Sequence, residues 1–326
     1  MQERDGSGRA PLVAAQLAAG MIIFGSATPV SKIVTAEMPI FVGSAFRVAI
    51  GALVLLPFAA GSLSQVRALS KRDWLLVAAI AVFGMLGFTT FLLFGMRMIT
   101  GVYGSVVMAT APAVTAVAAV LLLGEQPTWR RVTALVLAVA GVTVLQLAGG
   151  GGSEGMSTGS GAGEAMDPLT RWIRGLPSST LLGMALVFAA VCCEATYTLA
   201  GRQISRHVDP ILVAFLASAL SLPLFVPFAA VQWASFDPAA VSASGWAAVV
   251  WYGAGTLALG TFLWYRSIAR TEGTIAAAFM GLMPVSALVL SYVLLGEAFR
   301  PVHLLVFGIT FCGVLLMSWE HARMSR

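Results

Sequence analysis

GVYGSVVMATAPAVTAVAAVLLLGE, residues 101–125, returns later in the chain as GTIAAAFMGLMPVSALVLSYVLLGE, residues 273–297. The offset is constant at 172 residues, the distance from Glu125 to Glu297. It sets Gly101 on Gly273, Met108 on Met280 and Pro112 on Pro284, and it extends outward to Trp74 on Trp246, Thr89 on Thr261 and Gly141 on Gly313. A fixed register over so long a stretch marks an internal duplication rather than a shared apolar alphabet.

Composition sets the solvent. Of 326 residues, 59% are hydrophobic and 10% charged, with a mean hydropathy of +0.90. That much apolar surface cannot be hidden inside a soluble domain, so the lipid bilayer is the expected partner. The net charge of +5 is scattered at the ends of apolar runs, which argues against nucleic-acid binding. Cys192, Cys193 and Cys312 lie within apolar runs and suggest neither a disulfide framework nor a metal site. His207, His303 and His321 are dispersed, and no cofactor is implied.

A span needs ~20 mainly apolar residues. Ten segments qualify: 12–33, 40–60, 74–95, 101–123, 129–148, 180–202, 210–232, 245–265, 273–295 and 301–319. The predicted fold class is thus an all-α polytopic membrane protein of ten helices. The apolar run after the polar start is too long for a signal-peptide core and is kept as the first span. Turn chemistry at Met38-Pro39, Gly61-Ser62, Gly124 to Pro127, Asp209-Pro210, Asp237-Pro238 and Arg300-Pro301 is expected to divide the spans.

The basic residues give orientation. With the N-terminus inside, the inner side collects Arg4, Arg9, Arg67, Lys71, Arg72, Arg130, Arg131, Arg202, Arg206, Arg266, Arg270, Arg323 and Arg326. The outer side holds only Lys32, Arg97, Arg171, Arg174 and Arg300. Both termini are expected in the cytoplasm. Five spans per half make the second half enter from the opposite side, so the expected organisation is an inverted repeat: residues 1–148, a Gly/Ser-rich linker with an interfacial segment at 149–179, residues 180–320, and a tail at 321–326. Inverted halves are the pattern of alternating-access carriers. The match of Gly155 to Gly159 to a hydrolase G-x-S-x-G motif is rejected, because no strand precedes it and no helix follows.

Few residues carry charge within the spans. Glu194, in FAAVCCEATYTLAG, is the acid well inside one; at the bilayer centre a charge costs ~2.5–3.5 kcal/mol, so it is expected to face a cavity or a partner. It would then exchange protons or serve as a structural acid. Arg47, in FRVAIG, is the base inside a span, offset from Glu194 by ~8 Å in depth at a rise of ~1.5 Å per residue. Three roles stand open for it: binding a substrate carboxylate, pairing with Glu194, or snorkelling outward.

Pro112 and Pro284 sit mid-span at matched positions, and Gly101, Gly104, Gly273 and Gly281 soften the same helices; together they are the expected hinges. Ser26, Thr28, Thr89, Thr90, Tyr103, Ser105, Met108, Tyr197, Tyr252, Thr261, Phe279 and Met280, with Arg47 and Glu194, form the expected cavity lining. Any one alone is more often helix-packing glue than a ligand contact. As a set they suit an amphipathic small molecule rather than a phosphate. Glu125 and Glu297 are read locally, as acids in the polar turn after a glycine C-cap.

GSATPVSKIV in the first span, FRVAIGALVLLPF in the second and the two P…LLGE…G units resemble the EamA-type branch of the drug/metabolite transporter superfamily. The resemblance spans nearly the whole chain apart from the tail and linker. It implies a ten-span, inverted-repeat carrier in a bacterial inner membrane, commonly an exporter of amino acids or related metabolites, as in YddG-like exporters. Where that family often has an aromatic residue in the sixth span, this chain has Glu194. Other classes read from the sequence were a carrier of drugs or other metabolites, a channel, a non-transporting receptor or scaffold, and an intramembrane enzyme. The last lacks any paired Asp, metal-spaced His or Ser–His set. The sequence leaves the oligomeric state open.

Overall fold

The computed structural model describes residues 10–123, 133, 178–268, 279, 281–299, 301, 304, 305, 308 and 312. Every regular element among them is helical. The α-helices are α1 (Ala10–Gly25), α2 (Ala27–Glu37), α3 (Ile40–Ala59), α4 (Lys71–Ala79), α5 (Phe88–Met98), α6 (Gly101–Met108) and α7 (Ala111–Leu123), followed by α8 (Ser178–Ile204), α9 (Pro210–Trp233), α10 (Ala243–Val250), α11 (Gly260–Ile268) and α12 (Leu282–Leu295). Seven continuous helical stretches are long and apolar enough to cross a bilayer: Pro11–Glu37, Ile40–Ala68, Lys71–Met98, Gly101–Leu121, Ser179–Ile204, Pro210–Trp233 and Ala243–Ser267. Leu282–Leu295 is shorter and equally apolar. The expected spans 129–148 and 301–319, the first part of 273–295, and the linker lie outside the described residues, isolated positions apart.

The breaks follow local chemistry. Ser70 caps α4 with a reciprocal capping box: its Oγ accepts from the Asp73 N–H at 3.2 Å, while Asp73 Oδ2 accepts from the Ser70 N–H at 2.9 Å. Asp209 caps α9, accepting from the Ile211 N–H, with Pro210 at the first helical position. Gly296 ends α12 in the left-handed conformation at φ 63°, which costs a residue with a Cβ strain. The α-helix α3 ends at Ala59, just before Gly61-Ser62 as expected. The chain does not stop there but tightens into a 3-10 helix over Ala60–Ala68, which carries the second span out to its polar end.

Two π-helical segments interrupt spans at matched places. Ile80–Gly87 joins α4 to α5, and Trp251–Leu259 joins α10 to α11. Ser70 and Ser242, 172 residues apart, cap the stretches that lead into them. A wide turn frees backbone groups and redirects side chains, and such turns concentrate at working sites.

Helix α3 lies against α9, α5 against α8, α1 against α11 and α12, and α6 against α12. One core cluster gathers Val48, Val77, Ile80, Ile204, Leu212 and Phe225. Another gathers Leu92, Met96, Val107, Met108 and Val187. The outward face is apolar too: Leu53 is 70% and Val231 78% exposed. Such a surface is stable against hydrocarbon rather than water.

Candidate functional site

Arg47 sits inside α3 and is 6% exposed. Its Nη1 donates to the Oγ1 of Thr89, which opens α5 just past the first π segment. Its guanidinium carbon stands 4.2 Å from the ring centroid of Tyr252, within the second π segment. Gly253 makes that approach possible, since a Cβ there would lie 2.7 Å from the Arg47 carbonyl oxygen. The Arg47 Nε and the Tyr252 hydroxyl are buried without a hydrogen-bond partner among the described residues. A cation over a desolvated aromatic face gains ~2 kcal/mol. Stripping an ion of water costs several kcal/mol, so the ring and one threonine leave the guanidinium short of an anion.

Glu194 lies on α8. Cys192, two residues before it, is exposed, whereas Val191, Cys193 and Ala195 are buried. The Glu194 residue is half-buried as a whole, but its Oε2 is enclosed and has no hydrogen-bond partner among the described residues. One turn on, Tyr197 packs on the first π segment at Gly84. A Cβ at Gly84 would stand 2.6 Å from Tyr197 Cδ2, so only glycine leaves room for the ring. The Tyr197 hydroxyl is hydrogen-bonded to that of Tyr265 and lies within electrostatic reach of both Arg47 and Glu194.

Among the described residues, Arg47 and Glu194 form no ion pair. That removes one of the three roles left open for Arg47: the guanidinium turns to Thr89 and Tyr252 instead. Its burial removes snorkelling as well.

The other expected lining residues are spread around this centre. Ser26 forms the break between α1 and α2; its Oγ donates to the Ile23 carbonyl and accepts from Trp251 Nε1 at 2.9 Å. Thr28 and Thr261 are buried, and Thr90 Oγ1 is buried without a hydrogen-bond partner among the described residues. Met108 and Tyr103 belong to the apolar cluster between α5, α6 and α8. Ser105 donates to the Gly101 carbonyl and lies 3.4 Å from Ser291 Oγ, between α6 and α12. Phe279 is half-buried. Met280 and Gly273 lie outside the described residues. Among the expected hinges, a turn at Ala109–Thr110 parts α6 from α7 just before Pro112, and Gly281 forms the matching turn before Pro284. Gly104 packs on Met96 and Thr28.

Three contributors escaped the sequence reading. Tyr265 and Trp251 were not singled out, since no pattern in the sequence distinguishes them from other aromatics in the spans. Glu297 was assigned a local role and has a remote one. Its carboxylate accepts from the N–H groups of Gly101 and Val102, the latter at 2.9 Å, and so caps α6 across the molecule. Lys32 closes the same end by donating to the Ile99 carbonyl. Part of the signal was available: α6 opens with Gly101 and has no acidic residue in its own first turn.

At the other end of the bundle, His207 Nε2 lies 2.9 Å from Asp73 Oδ1, and Ser62 donates to Asp209. No group of His, Cys, Asp and Glu among the described residues could hold a metal ion.

The sequence profile of the EamA-like transporter family matches this chain twice, over residues 12–147 and 181–319. The chain belongs to the EamA-like transporter family. It is similar to an uncharacterized transporter, YetK, of Bacillus subtilis (strain 168), 28% identical over 300 residues covering 92% of this chain and 84% of that protein. It is also similar to a probable terminal-alkyne amino-acid exporter of Streptantibioticus cattleyicolor, 26% identical over 267 residues, 82% of this chain and 80% of that one. A solved crystal structure shares the fold at a TM-score of 0.58 and 17% identity, covering 94% of this chain and 98% of its own. This EamA-family protein is therefore a multi-pass membrane transporter, and its buried polar centre is the natural place to seek its substrate.

Proposed function

We propose that this transporter exports amino acids or related small carboxylate metabolites from a bacterial cytoplasm by alternating access, with Arg47 receiving the substrate carboxylate. The observation that carries this reading is the Arg47 guanidinium: buried, stacked on Tyr252, bonded to Thr89, and paired with no carboxylate among the described residues. A planar fork of donors suits a carboxylate in a bidentate grip. The amino-acid exporter of Streptantibioticus cattleyicolor supports the substrate class. The aromatic walls from Tyr252, Tyr197 and Tyr265 also fit a carrier of drugs or other metabolites of the same fold, which would bind without a carboxylate.

In this reading the two halves, 1–148 and 180–320, are inverted repeats joined by 149–179, with both termini cytoplasmic in an inner membrane and ten spans in all. The matched serine caps, π segments and mid-span turns support that organisation. The turns before Pro112 and Pro284 are where the α6–α7 and α12 helices would bend as one side closes and the other opens. The carrier must bind cargo about equally in both states, or it would trap it.

Counterflow of labelled amino acids in proteoliposomes tests the proposal. Saturable exchange is expected, with Arg47→Gln raising the half-saturating concentration about 10- to 100-fold, the effect of losing a charge-assisted contact. Exchange of carboxylate-free amines with no effect of Arg47→Gln would move the reading to the drug carrier. Non-saturating ionic current would replace it with a channel.

A further inference from the structure

Arg47 is not the only buried group without its complement. Glu194 presents an enclosed carboxyl oxygen with no partner among the described residues, and the Arg47 guanidinium is engaged elsewhere. The two are held apart by construction. Thr89 and the Tyr252 ring fix the guanidinium, and the packing of α8 on the first π segment, against Gly84 and Gly87, fixes the stretch carrying Glu194. Tyr197, its hydroxyl tied to Tyr265, sits where it senses both charges.

A carboxyl oxygen and a guanidinium that are each enclosed, do not pair with one another and both lie within electrostatic reach of the Tyr197 hydroxyl make a dipolar site. Water satisfies such a site poorly, and a lone carboxylate ligand answers only half of it. We infer that Glu194 receives the ammonium group of the substrate while Arg47 holds its carboxylate, so that the site selects zwitterions bearing a free α-amino group. This rests on the carboxylate role of Arg47 proposed above and adds a second, independent anchor. Glu194 is then a specificity residue: it separates free amino acids from N-acylated acids and dicarboxylates, whose extra acyl group or negative charge would meet the Glu194 carboxylate without a donor for it.

The test uses the full-length protein in proteoliposomes loaded with unlabelled L-leucine, L-phenylalanine and L-threonine, assayed by counterflow of the same labelled amino acids. Competitors are the N-acetyl derivative and the methyl ester of each. In the parent protein, N-acetylation is expected to weaken competition about 10- to 100-fold. In Glu194→Gln, the free amino acid loses affinity by a similar factor while the N-acetyl compound competes as it does in the parent. In Arg47→Gln the methyl ester, not the N-acetyl compound, is the better-retained competitor. Glu194→Asp keeps the charge and restores part of the affinity, which a merely misfolded Glu194 variant would not allow.

If Glu194→Gln leaves exchange kinetics intact but abolishes accumulation driven by a pH gradient, Glu194 is a proton site and the inference is overturned. Equal competition by free and N-acetylated acids overturns it too, while leaving Arg47 as the carboxylate anchor. Exchange insensitive to Arg47→Gln, or no exchange of any amino acid, refutes the proposed function itself.

Discussion

Glu297→Ala is the perturbation whose size can be worked out most directly. The Glu297 carboxylate accepts from the Gly101 and Val102 N–H groups, at the start of a helix whose first residues are buried. Removing it strands two donors. Each buried, unsatisfied N–H costs ~1–3 kcal/mol, and a carboxylate at a helix N-terminus adds ~0.3–1 kcal/mol of its own. Water entering at the mouth would recover part of this, leaving a net loss of about 2 kcal/mol. If that loss falls on the closed arrangement alone, the population open at this end rises ~30-fold. Ser291 is a fitting reporter. It is fully buried, lies on α12 and faces Ser105 of α6, so it becomes reachable only when these helices part. Ser291→Cys would be placed in a background with Cys192, Cys193 and Cys312 changed to Ala, and labelled with a membrane-impermeant maleimide. Glu297→Ala is expected to speed labelling by one to two orders of magnitude, and Glu297→Gln, which keeps one acceptor oxygen, by less. Unchanged labelling of Ser291→Cys in Glu297→Ala would show that the carboxylate holds nothing closed and would refute the reasoning.

Gly25→Ala should destabilise the protein by ~1–3 kcal/mol or more, because its Cβ would meet the Met283 carbonyl oxygen at 2.4 Å and Ser286 Oγ at 1.9 Å, and a backbone oxygen cannot step aside. Gly61→Ala, which meets nothing within 4 Å, should leave thermal unfolding within ~0.5 kcal/mol of the parent; the pair is read by melting in detergent, and equal shifts would contradict the packing. Tyr252→Phe removes a hydroxyl that has no partner among the described residues while keeping the ring beneath Arg47, so the melting temperature should hold or rise. A marked fall would mean that the hydroxyl is bonded after all, and a selective loss of substrate affinity at unchanged stability would place it on the substrate.

The all-helical membrane character, the repeat and the family were legible in the sequence because each depends on a property that survives without coordinates. Hydrocarbon demands long apolar runs, and a duplicated chain keeps its register, so residues 101–125 announce residues 273–297 before any helix is placed. Charge within a span is costly, which singled out Arg47 and Glu194 by composition alone. Helix ends written in serine, aspartate and proline were readable at Asp209-Pro210, and the α-helix does end before Gly61-Ser62; what the sequence did not tell is that a 3-10 helix carries the chain on from there.

Partnership was decided only in three dimensions. Depth along the membrane left Arg47 within reach of Glu194, yet the direction of a side chain around its helix is set by neighbours, and the second π segment puts Tyr252 under the guanidinium. Glu297 looked local because sequence shows only its own turn; it serves a helix 196 residues away because α12 packs along α6. The sequence thus determined which groups would be expensive to bury in lipid, since that cost belongs to each residue. Tertiary structure decided which of them are satisfied, since a hydrogen bond or an ion pair belongs to two.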